Sequence, residues 1–175
     1  MVYSEFPVER LARLASSLFQ IGFARQAMRM LDPSESVAFE ATQEGLLMRA
    51  HNEDVLARPA ALLRDLYHDD LVLLPPQVRY ITLHGRPYEP IMVLRVRADP
   101  RYWTGVRDDL ASREVTLLQE QTDSGVCALH AEAPLRRLLG YGEALAKLSE
   151  GTALHWIGLD RYNPMEDPPG GGWAA

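Results

Sequence analysis

Few side chains in this sequence are arranged for covalent chemistry. His51, Asp54, His68, Asp69 and Asp70 are ligand types for a divalent metal. His51 and His68, however, lie at opposite ends of a predicted helix about 24 Å long at 1.5 Å per residue. They are not expected to converge. Asp108 and Asp109 are adjacent, and adjacent helical residues point about 100° apart, so they do not form a shared carboxylate site. Cys127 is the only cysteine, falls in the middle of a predicted strand and has no base near it in sequence. No G-x-S-x-G elbow occurs, and no G-x-x-x-x-G-K-[ST] loop that would cradle nucleotide phosphates. No catalytic residue, metal or cofactor is assigned on these grounds.

Arginine is the residue type with most to offer. Lys147 is the only lysine among 18 cationic side chains. Arg101, Arg107, Arg113, Arg136 and Arg137 lie on or beside two predicted helices of the second half. A guanidinium binds phosphate bidentately, so these residues, with Tyr141, are the candidates for contact with RNA or a partner. A solvated helix face accounts for the same pattern. Tyr102 is open to either role, and Trp103 and Trp156 suit a core or a domain interface. The net charge of -6 argues against tight non-specific binding to nucleic acid, and no DNA partner is expected.

The elements that would position these residues follow from periodicity. Hydrophobic content of 47% with 24% charged residues is globular. Val8 to Leu31 has apolar residues at three and four and is rich in Ala, Leu and Arg, which predicts helix, with Gly22 dividing it. Room is left for a stub strand at Val2 to Glu5. Ser36 to Thr42 and Leu46 to Ala50 read as a hairpin, followed by a helix from Asn52 to about His68. Leu71 to Leu74 and Gln77 to Leu83 are extended. His84-Gly85-Arg86-Pro87 reads as a turn and the domain boundary.

The pattern then repeats. Pro90 to Val96 is a strand. Asp99-Pro100 is a strong helix start, and that helix runs to about Arg113. Val115 to Gln121 and Val126 to Ala131 are strands across a tight turn. Pro134 opens a helix to about Ser149, and Thr152 to Leu159 is the last strand. Asn163 to Ala175, with its Pro and Gly runs, is expected to be a flexible tail. The fold class is α+β: two ferredoxin-like (βαββαβ) domains, residues 1–84 and 85–163, and a tail, 164–175. Each has helices on one face of an antiparallel sheet and leaves the other face open.

Specific residues carry a family resemblance. Glu89-Pro90-Ile91-Met92 resembles the opening of the last domain of elongation factor G. Gly105-Val106, Asp109-Leu110 and Ser112-Arg113 resemble its first helix. Ala133-Pro134-Leu135 and Leu139-Gly140-Tyr141 are similar to its second helix, and Leu148 to Thr152 and Asp160-Arg161-Tyr162 to its end. Asp70 to Ile81, with Pro76-Gln77-Val78-Arg79-Tyr80, resembles the close of that factor's third domain. Only Thr82 to Tyr88 stands where the factor has its decoding-region domain. Glu114 and Val115 replace an Arg and a Gly frequent in the family, so a negative charge stands where a positive one is common.

The resemblance implies a translation-factor-like protein without a GTPase, not an enzyme, that binds the ribosome, through rRNA or a ribosomal protein, or a ribosome-associated factor. The second domain would be the docking part. The other reading is a protein-interaction or small-ligand module that kept the fold without ribosome binding; exposed sheet edges leave room for a homodimer. A piece of a longer GTPase is a third reading, against which the initial Met and the short 82–88 connection weigh mildly. The N-terminus lacks a signal-peptide pattern and no apolar run is long enough for a membrane span, so cytoplasm is the expected location and no membrane partner is expected.

Overall fold

The computed structural model describes residues 6–165. The suggested strand at Val2 to Glu5 and the tail from residue 166 onward lie outside them. The first half contains β1 (Val8–Leu14), α1 (Gln20–Met28), β2 (Val37–Thr42), β3 (Gly45–Ala50), α2 (Glu53–Tyr67) and β4 (Leu71–Leu73), with a short β5 (Gln77–Val78). Its sheet order is β2-β3-β1-β4, with β5 also paired to β1. The second half contains β6 (Ile81–Leu83), β7 (Arg86–Ala98), α3 (Pro100–Ser112), β8 (Thr116–Asp123), β9 (Val126–Pro134), α4 (Leu135–Leu138), α5 (Tyr141–Leu148) and β10 (Leu154–Pro164). Its order is β10-β7-β9-β8, with β6 on β7. Both halves are split βαβ units in which the first strand lies between the third and the fourth.

The helix predicted over Val8 to Leu31 is corrected. Val8–Leu14 is instead the central strand of the first sheet, paired with β3 on one side and with β4 and β5 on the other. Val8 and Ala12 are fully buried beneath the helices. The leucines at 11 and 14 and the Ala/Arg content suit a helix locally. Pairing on both edges overrides that propensity. The break lies at 15–19, not at Gly22, which sits inside α1. Gln20 stitches the break: its Nε2 donates to Leu14 O (2.7 Å) and Ser17 O (2.8 Å), and Leu14 N donates to its Oε1 (3.0 Å).

Two further differences lie in the second half. The helix predicted from Pro134 to Ser149 is two helices, broken at Leu139-Gly140. Gly140 has φ +76°, a left-handed conformation that suits glycine and turns the chain between α4 and α5. Also, β10 continues through Asn163 and Pro164, which pair with Glu89 and Tyr88, so the start of the predicted tail is strand. The His84-Gly85 turn is the tip of the β6–β7 hairpin, and the chain crosses between sheets at residues 79–80.

Buried residues of both halves join one hydrophobic cluster that includes Leu56 and Leu63 from α2 and Tyr141, Leu145 and Ile157 from the second half. No helix among the described residues is long and apolar enough to cross a membrane.

Candidate RNA- or partner-binding surface

The Asp99 side chain caps α3 by accepting from Arg101 N at 2.9 Å, and Pro100 occupies the first turn. This start sets the phase of the helix. Arg101 Nε lies 3.3 Å from Asp99 Oδ1, and its guanidinium sits 5.1 Å above the Tyr102 ring. Arg107 Nε lies 3.6 Å from Glu120 Oε1, which also accepts from Trp103 Nε1 at 2.6 Å. Arg101 and Arg107 are well exposed and keep donors to spare.

The other three arginines are spent on the fold. Arg113 Nε donates to Asp109 Oδ2 at 2.9 Å, and its Nη1 donates to the carbonyls of Arg137 (3.1 Å) and Leu139 (3.4 Å). It thereby straps the α4–α5 break to the end of α3. Arg136 Nε pairs with Glu89 Oε2 at 2.9 Å. Arg137 donates to Glu114 O (2.9 Å) and pairs with Glu114 Oε2 (3.1 Å). Tyr141 is fully buried, and its hydroxyl has no partner among the described residues. Burial, then the Asp109 charge, holds its pKa far above the usual phenol value. As a residue offered to a partner Tyr141 is therefore corrected: it is core. The set does not converge on one basic face, because each guanidinium is answered by a carboxylate, from its own helix or from a neighbouring element.

The helix arginines flank a junction between the halves that the sequence reading missed. The start of α2 inserts against the second half. Asn52 Oδ1 caps α2 by accepting from Val55 N (3.1 Å), while its Nδ2 donates to Ile157 O on β10 (2.9 Å). Glu53 Oε2 accepts from Gly140 N at 2.7 Å. Burial pushes the Glu53 pKa up, an effect that the Gly140 N–H partly offsets. His155 Nε2 lies 2.8 Å from Asp54 Oδ2, and this bond raises the histidine pKa against the opposing effect of burial. The only available signal was the capping pattern Asn52-Glu53-Asp54.

The metal-ligand types do not assemble. Asp54 faces His155, and the Asp70 carboxylate accepts from Ser16 N (2.8 Å) and Ser16 Oγ (2.6 Å). Cys127 is buried beside Thr122. Trp103 is buried at 9% exposure, whereas Trp156 is 53% exposed on the bare face of the second sheet. Arg95 and Arg97 flank it on β7. They were legible only as the polar phase of the alternation with Leu94 and Val96.

Residues 86–170 match the family model described as elongation factor G C-terminus. The mitochondrial ribosome-releasing factor 2 of Danio rerio is 32% identical over 81 residues, 46% of this chain and 11% of that protein. Elongation factor G of Ruegeria pomeroyi is 31% identical over 77 residues, 44% of this chain and 11% of the factor. The chain thus spans about a tenth of the length of these relatives. A crystal structure of a protein from Thermus thermophilus superposes with TM-score 0.64 at 15% identity, covering 92% of this chain and 41% of that one. That likeness speaks to the fold, and it extends across both halves. With its motifs in order from Glu89 to Tyr162, the second half of the chain carries the pattern of the elongation factor G C-terminal domain.

Proposed function

We propose that the protein docks on the ribosome through its second half, as a translation-factor-like protein that drives no GTP-timed step. The observation that carries this reading is the match of residues 86–170 to the elongation factor G C-terminus. The exposed guanidiniums of Arg101 and Arg107 on α3 are the helix-side contacts, with spare donors for phosphate. Arg113, Arg136 and Arg137 hold the helices in place around them. Occupying a factor site or serving as an accessory subunit needs no phosphate-binding loop. Co-sedimentation of the full chain with ribosomes in moderate salt is expected. No association even at low salt removes the reading.

A second reading has its own support. Strand β8 is exposed along its whole length and, among the described residues, pairs only with β9, leaving one edge open with Leu117 and Leu118 about half exposed. An open edge is a template for pairing with a second copy. The bulge between Leu117 and Gln119 interrupts that edge and works against it. Light scattering after gel filtration tests the point: a stable dimer lost on Leu118→Lys favours an interaction module, and a monomer at all concentrations removes the dimer.

A further inference from the structure

The helices of the second half cover one face of its sheet, and among the described residues the other face is bare. Strand register lays its side chains in cross-strand rows. One row runs Trp156, Arg95, His130, Gln119, and the next runs Leu154, Arg97, Ala128, Gln121. A hollow of about 590 Å³ opens over these rows, lined by Arg95, Arg97, Gln119, Gln121 and His130 among others, with one acid, Asp123, at its rim.

Three features give this face the chemistry of a nucleic-acid surface. The first is a stacking platform. Trp156 lies over Gly158, two residues along the same strand, where any Cβ would overlap the indole. The ring therefore stays on the sheet and half exposed. The second is uncompensated positive charge. Arg95 and Arg97 have no carboxylate partner among the described residues, unlike the helix arginines. Glu132, on the same face, pairs with Arg161 at 3.0 Å, a guanidinium it shares with Asp160. The Arg95 guanidinium rests 5.5 Å from the Trp156 ring centroid, placed to exchange that contact for a phosphate. The third is polar edge-reading capacity. Gln119 and Gln121 both donate and accept, and His130 Nε2 is buried with no hydrogen-bond partner among the described residues. Beyond Trp156 the track continues into a groove of about 860 Å³ between the halves, lined by Phe6, Val37, His51 and Leu159 among others.

We propose that this open face binds single-stranded RNA: a base stacks on Trp156, Arg95 and Arg97 take phosphates, and Gln119, Gln121 and His130 meet base edges. A flat sheet with an aromatic platform suits unpaired bases, whereas a duplex hides its rings from it. A protein partner would need more apolar area than Trp156 and Leu154 offer. The proposal deepens the ribosome-docking reading, on which it rests for the source of the RNA.

The test is fluorescence anisotropy of the full chain with a labelled single-stranded RNA of mixed sequence, about 12 nucleotides long, within the span of such sites. The same sequence as a duplex is the comparison. Binding to the single strand that weakens with salt is expected. Trp156→Ala should weaken it about tenfold or more. Arg95→Gln and Arg97→Gln should each flatten the log–log salt dependence by about 0.7. Gly158→Ala, which keeps the indole but displaces it, should lose affinity like Trp156→Ala. Arg58→Gln, on α2 of the first half, should change nothing. Thermal melts establish that each variant is folded. No anisotropy change for the unaltered protein at low salt overturns the proposal. So does a folded Trp156→Ala that binds as well as the parent, or equal affinity for the duplex. Oligonucleotide binding without ribosome co-sedimentation supports this surface and removes the docking reading. Co-sedimentation without oligonucleotide binding does the reverse.

Discussion

Glu114 holds φ +55° just past Arg113, the C-cap of α3, where a left-handed residue closes the helix. Its own N–H reaches Ala111 O (3.0 Å) and the N–H of Val115 reaches Leu110 O (3.2 Å), the double closure that glycine makes most easily. Its carboxylate is mostly exposed, so its pair with Arg137 contributes little. Glu114→Gly should therefore raise stability by about 0.5–1 kcal/mol in urea unfolding, because relief of the left-handed strain outweighs the lost pair. Tyr141 offers the second residue-level prediction. Its hydroxyl is buried without a partner among the described residues. Tyr141→Phe should stabilise the fold by about 1 kcal/mol, the desolvation cost of an unmade hydrogen bond, with little change in circular dichroism. The arginine types were legible in the sequence. Apart from the i,i+4 pair of Arg113 with Asp109, their partners were not, since Glu89, Glu114 and Glu120 meet them only after the sheet has formed.

At the scale of elements, the start of α2 is both a helix cap and a clasp. Asp54 raises the His155 pKa, so the folded state holds a proton that the unfolded chain would release near pH 6.5. The resulting stability is fully present below the unfolded pKa and is lost as pH rises through the folded pKa. Urea midpoints should fall on going from about pH 6 to pH 8, and His155→Gln should flatten that fall. Asn52→Ala removes the cap to Val55 and the donor to Ile157 O together. It should cost about 1–2 kcal/mol. The βαββ stretch of the second half was legible because its turns and caps agree with its periodicity, as at Asp99-Pro100. The first strand was not. Leu11 and Leu14 fit a helix, and only pairing with β3 and β4 distinguishes the two.

For the whole molecule, the two sheets share one hydrophobic cluster and a polar clasp, so they should melt as a single transition. Calorimetry should give equal calorimetric and van't Hoff enthalpies for the intact chain, and two separable transitions would show that the junction is weak. Charge is divided in the same global way. A protein of net charge -6 keeps arginines without a carboxylate partner among the described residues on one sheet face, while acids occupy the ends of its helices. Binding to phosphate should therefore be local and salt-sensitive.

The sequence by itself determined the repeated α+β pattern, the family likeness of the second half and the absence of a phosphate loop. Each of these rests on short-range order: periodicity, caps, turns and motif spacing. The tertiary structure alone decided that Val8–Leu14 is a strand, that Tyr141 is core and that Glu53 meets Gly140. It also decided that the bare arginines lie on the sheet and not on the helices. Those outcomes depend on contacts between residues far apart in the chain, which local pattern does not encode.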